Sequence, residues 1–142
     1  MKTGIRWGRV ILAAIVSELA VITVLVALTG VYALIARKSS VVDLQDFGQR
    51  AGYYVAPLAS GLAVFLSALW VTRGLAAKFT LNGTLVGVVA VILTVGMVVS
   101  ARPEDRLMYV VSFAIRIAAG YLGGLTAQAR FHRAAAQAGS AL

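Results

Sequence analysis

Four stretches of this chain, residues 9–36, 51–72, 79–101 and 107–129, hold only two charged side chains in their interiors, Glu18 and Arg116. A helix needs about 20 mostly apolar residues to cross roughly 30 Å of hydrocarbon, and each stretch reaches that length. Backbone groups in lipid must find their partners within the segment, which an unbroken apolar run of this length does as an α-helix. The expected fold is therefore all-α. It is a polytopic membrane protein in which a single four-helix transmembrane domain takes up residues 1–142.

Composition argues the same way. The chain is 61% hydrophobic and 13% charged, where a soluble domain sits near about 45–50% and 25%. Its mean hydropathy is +0.91, which makes membrane lipids the expected surroundings. The net charge of +8 would suit nucleic acid only if the cations clustered on a folded soluble face. Here they flank apolar runs, so no nucleic-acid partner is expected. There is no cysteine, and the single histidine, His132, follows the last stretch. Disulfides, thiolate chemistry and a bis-histidine haem within this chain are thereby excluded, and no cofactor or metal is expected. The opening Met-Lys-Thr-Gly-Ile-Arg-Trp-Gly-Arg resembles the start of a signal peptide. The apolar run behind it lasts roughly 27 residues, beyond the 7–15 of such a peptide, and reads as a retained helix.

The connections fit four spans. Residues 37–50 form the longest, where Ser40 and Asp43 have the spacing of a capping box. Val41, Val42, Leu44 and Phe47 then suit either a short surface helix or a solvated loop. Gly74 opens a tight turn between the second and third spans. Pro103, with Glu104 and Asp105, suits the first turn of the fourth.

Lys and Arg near the span ends set the orientation. One side carries Lys2, Arg6, Arg9, Arg73, Lys78, Arg130 and Arg133; the other carries Arg37, Lys38, Arg50, Arg102 and Arg106, with Asp43, Asp46, Glu104 and Asp105. The more basic side holds both termini, which are expected in the cytoplasm. The compact chain suggests a bacterial inner (cytoplasmic) membrane. Trp7, Trp70, Phe79 and Phe131 mark the inner boundary, and Tyr32, Tyr53, Tyr54 and Tyr109 the outer.

Small residues at four-residue spacing let membrane helices pack closely. Gly83 and Gly87, continued by Thr94, form such a face on the third span. Gly120, Gly123 and Gly124 form one on the fourth, and Ala56, Ser60, Ala63 and Ser67 one on the second. Pro57 is expected to kink or loosen that second helix.

Glu18 and Arg116 are the candidate site. A charge at mid-bilayer costs about 2.5–3.5 kcal/mol on insertion scales, so such residues face the protein interior and find partners. Both fall near the middle of their spans, within a turn or two of equal depth. Around Arg116 lie Tyr109, Ser112, Gly120, Gly123 and Ala127, a small and polar stripe. An intramembrane Glu18–Arg116 ion pair is expected, either fixing helix register or serving as a ligand or proton site.

No catalytic set is expected. Asp43, Asp46 and Asp105 fall in connections, so paired membrane carboxylates are missing, and no phosphate-cradling glycine loop occurs. The function expected is that of a non-enzymatic membrane protein. It would be a subunit, scaffold or accessory of a membrane assembly, or a homo-oligomer. The alternative is a small transporter or channel, using Glu18 for protons or cations or Arg116 for anions. Glu18, in Ile11-Leu12-Ala13-Ala14-Ile15-Val16-Ser17-Glu18, is similar to the pattern of the small multidrug resistance transporters. That resemblance implies a dimer in which an embedded glutamate binds protons and cationic drugs in turn. Arg116, the wide first connection and a third span without the family's aromatic residues depart from it.

Overall fold

The computed structural model describes residues 4–36 and 40–139, the side chains at 97, 100, 104 and 138 excepted. It is all-α. Among the described residues four helices, α1 (Trp7–Ala36), α2 (Val41–Val71), α3 (Phe79–Ser100) and α4 (Arg106–Gly139), follow one another, with a 3-10 turn at Pro103–Asp105. Each is long and apolar enough to cross a membrane.

Two helices outrun the apolar stretches that announce them. The segment 41–50 is neither a loop nor a separate surface helix: it forms the first turns of α2. Ser40 caps those turns. Its hydroxyl accepts from the Asp43 N–H, and the Asp43 carboxylate accepts from the Ser40 N–H at 2.9 Å. At 31 residues and about 1.5 Å per residue, α2 spans about 46 Å, well beyond the hydrocarbon thickness. The α4 helix likewise continues ten residues past 129 to Gly139. Of the basic residues counted above, Lys2, Arg37 and Lys38 lie outside the described residues, as does the side chain of Glu104.

The helices stand in the order α1, α2, α4, α3 around the bundle, with α2 and α3 also touching across its short diagonal. Helices α1 and α4 occupy the long diagonal: no Cα of one comes within 8 Å of a Cα of the other among the described residues. The core is built of small side chains, Val10, Ala13, Ala14, Val64, Val71, Val86 and Ala90. Along α1 the buried positions are Val10, Ala13, Ala14, Ser17 and Val21, one stripe at helical spacing. Every other side of α1 is exposed.

The buried stripe of α2 runs through Pro57, Ser60, Gly61, Val64, Ala68 and Val71. Of the small residues expected there, Ser60 is buried, but Ala56, Ala63 and Ser67 are only half-buried. Closest approach rather than smallness sets the face: a Cβ on Gly61 would meet Ile115, and Ala68 abuts Gly123.

One end of the bundle is closed by polar contacts. The buried Asn82 of α3 accepts from the Arg6 N–H at 3.0 Å and donates to the Lys78 carbonyl. It thereby caps the start of α1, where backbone donors lack intrahelical partners. Arg6 Nη1 donates to the Arg73 carbonyl at 2.8 Å, and Phe79 packs on Phe131. Phe79 is thus buried against α4. At the opposite end Tyr32 stacks on Phe47, ring centroids 4.1 Å apart.

Candidate functional site

The site begins with two glycines. A Cβ on Gly83 would lie 2.5 Å from the Gly120 carbonyl oxygen, and one on Gly87 would lie 2.5 Å from that of Arg116. On α4 a Cβ at Gly120 would fall 2.5 Å from the Gly83 oxygen, and one at Gly124 would fall 2.6 Å from Thr80 Cα. Backbone therefore rests on backbone along the α3–α4 crossing, a separation only glycine permits. Gly123, between these positions, faces the other way. A Cβ there would meet Ala68 Cβ at 2.7 Å and the Phe65 carbonyl at 2.8 Å, on α2.

That crossing places Arg116. Its backbone touches α3 at Gly87, and helical side chains lean toward the N-terminus of their own helix. Because α4 runs antiparallel to α3, the guanidinium climbs along α3 from Gly87 to Ala90 and Thr94. Arg116 Nη1 donates to Thr94 Oγ1 at 2.7 Å and to the Ala90 carbonyl at 3.3 Å. Thr94 in turn donates to the Ala90 carbonyl at 2.9 Å.

Glu18 reaches in from α1, and its Oε1 stands 2.8 Å from Arg116 Nη1, with the two side chains 18% and 8% exposed respectively. The structure thus brings the two candidate residues together, across the diagonal whose helix backbones stay apart. The contact is close but off line. Oε1 has no aligned hydrogen-bond donor, and Arg116 Nε meets no acceptor. The attraction is mainly Coulombic, while Thr94 and Ala90 take the directed hydrogen bonds.

Of the other residues on the expected Arg116 stripe, Ser112, Gly120 and Gly123 are buried, and Tyr109 and Ala127 are half-buried. Ser60 is buried on α2, its hydroxyl donating to the Pro57 carbonyl at 2.9 Å. Sequence reasoning placed Thr94 on the glycine face of α3 but did not connect it to Arg116. The Ala90 carbonyl carries no sequence signal at all. Among the described residues, no three of His, Cys, Asp and Glu gather closely enough to hold a metal ion.

Comparison with known proteins adds no relative: no family model, no curated protein and no solved structure matches this chain.

Proposed function

We propose that the chain is a small, non-enzymatic integral membrane protein with both termini on the cytoplasmic side. It works as a subunit or accessory of a membrane assembly, or as a homo-oligomer, in a bacterial inner membrane. The observation that carries the membrane part is the distribution of apolar surface. Across the most apolar window of each helix only 28–39% of the residues are buried, so most of the bundle's greasy surface faces outward. On a soluble protein, apolar patches of that extent would drive association; in lipid they are the expected surface.

The Glu18–Arg116 pair supports the structural role over transport. A carboxylate that exchanges protons or cations must be free to release its partner, whereas Glu18 faces a guanidinium that Thr94 and the Ala90 carbonyl also hold. The same grip neutralises Arg116 toward an anion. The pair also ties α1 to α4, two helices with no direct backbone packing. Such a contact fixes register and topology more than it adds stability.

Extraction of the tagged protein from its own membrane in mild detergent, followed by mass spectrometry, tests this reading. Partner proteins at fixed stoichiometry, or a homo-oligomer inactive in liposome flux, are expected. A lone chain that moves ions or small solutes in liposomes, with a pH dependence abolished by Glu18→Gln, contradicts it.

A further inference from the structure

Between α1 and α2 an apolar groove of about 410 Å³ opens on the flank of the bundle, lined by Leu12, Ala13, Val16, Leu66, Ser67 and Trp70. Its volume falls within the roughly 300–1,000 Å³ of small-ligand sites. Ala13 lies fully buried beneath it, while Leu12, Val16 and Leu66 stand half or more exposed along its sides.

The groove ends in a charge. Arg9 precedes Ala13 by one helical turn, and its guanidinium carbon lies 5.7 Å from the centre of the Trp70 ring that closes the groove. Among the described residues Arg9 has no carboxylate partner. A guanidinium carries an in-plane N–H fork whose geometry matches phosphate oxygens, and an aromatic ring beside it adds a cation–π attraction without supplying an anion. The surroundings reinforce the sign. Arg6 and Arg73 meet at the same end through the Arg6 Nη1 bond to the Arg73 carbonyl. Glu18, Asp43, Asp46, Glu104 and Asp105, the chain's acids, lie deeper in the bundle or at its opposite end.

We propose that this groove and Arg9 form a binding site for one anionic phospholipid. An acyl chain lies along Leu12, Val16 and Leu66, and the phosphate sits at the Arg9 guanidinium beside Trp70. The apolar groove alone would accept an acyl chain from any lipid, and the cation at its end supplies the preference for negative charge.

This inference rests on the membrane reading above, and the experiment separates the two. Membranes containing the protein are first washed with alkaline carbonate. Release of the chain contradicts both the membrane reading and the lipid site. Retained protein, purified in mild detergent, is titrated with phosphatidylglycerol and with phosphatidylcholine of identical acyl chains and read by native mass spectrometry. One phosphatidylglycerol is expected to bind, preferred roughly fivefold or more over phosphatidylcholine. Arg9→Gln removes the preference, Arg9→Lys keeps part of it, and Val16→Trp lowers binding of both lipids by filling the groove. Circular dichroism and thermal melts verify that the variants remain folded; Arg9 is exposed, so its replacement leaves the core intact. Equal binding of the two lipids overturns the proposal. So does a preference that survives Arg9→Gln and disappears instead with Arg130→Gln and Arg133→Gln. Either result leaves the membrane reading standing.

Discussion

Arg116 Nη1 meets the Glu18 carboxylate, the Thr94 hydroxyl and the Ala90 carbonyl at once, and the effect of each substitution follows from which of these is lost. Removing one member of a buried pair leaves its partner uncompensated and costs about 3–5 kcal/mol, whereas removing both can be nearly neutral. Arg116→Gln is therefore expected to melt well below the wild type in detergent, and the double change Glu18→Gln with Arg116→Gln to recover much of the loss. Equal melting of single and double variants would mean that the pair contributes no coupling. Thr94→Val keeps the shape but deletes an acceptor for a charged donor. A loss of about 1.5–3 kcal/mol is expected, and a smaller loss in the Arg116→Gln background would identify Arg116 as its cause. The candidate pair was legible in the sequence because a charge inside an apolar run must find a partner. The grip from Thr94 and Ala90 was not, because it depends on where α4 crosses α3.

That crossing is a matter of whole helices, and the glycines test it with an internal control. At Gly83 and Gly120 a methyl group would strike backbone at 2.5 Å, whereas at Gly96 on the same α3 it would meet nothing within 4 Å. Gly83→Ala and Gly120→Ala are each expected to destabilise by about 1–3 kcal/mol, with Gly96→Ala neutral or slightly stabilising. Comparable effects at all three positions, read by thermal melts, would contradict the close crossing. At the start of α2, Ser40→Ala is expected to cost about 0.5–2 kcal/mol through loss of the cap. Amide exchange should rise over residues 41–46 and stay unchanged beyond Pro57. The existence of four helices was legible because their apolar runs are long. Their ends were less so. Asp43, Asp46 and Arg50 break the apolar pattern without breaking the helix, since the Ser40 cap starts it four residues after Ala36. Beyond Ala129, Arg130 and Arg133 look like a tail, but Ala134, Ala135 and Ala136 are strong helix formers and carry α4 onward. The buried stripe of α2 was misplaced for a related reason: small residues are frequent in apolar helices, and only the facing helix decides which are used.

The bundle as a whole has two unlike ends. Arg6, Arg9, Arg73, Phe79 and Phe131 gather at one; Tyr32, Phe47 and the Pro103 turn lie at the other. A chain that crosses a membrane four times must put its N-terminus, its α2–α3 turn and its C-terminal helix on one side, and the proposed orientation assigns that more basic side to the cytoplasm. The chain contains no cysteine, so single cysteines can report on each segment without background. Gln45→Cys and Pro103→Cys mark one end, and Gly4→Cys, Arg73→Cys and Ala136→Cys mark the other; all five positions are exposed. The decisive measurement is labelling of these five variants with a membrane-impermeant maleimide, in intact cells and again after the membrane is opened. Intact cells are expected to label only Gln45→Cys and Pro103→Cys, and the other three to react once the membrane is breached. Labelling of Gly4→Cys, Arg73→Cys or Ala136→Cys in intact cells, or protection of Gln45→Cys and Pro103→Cys, would contradict it.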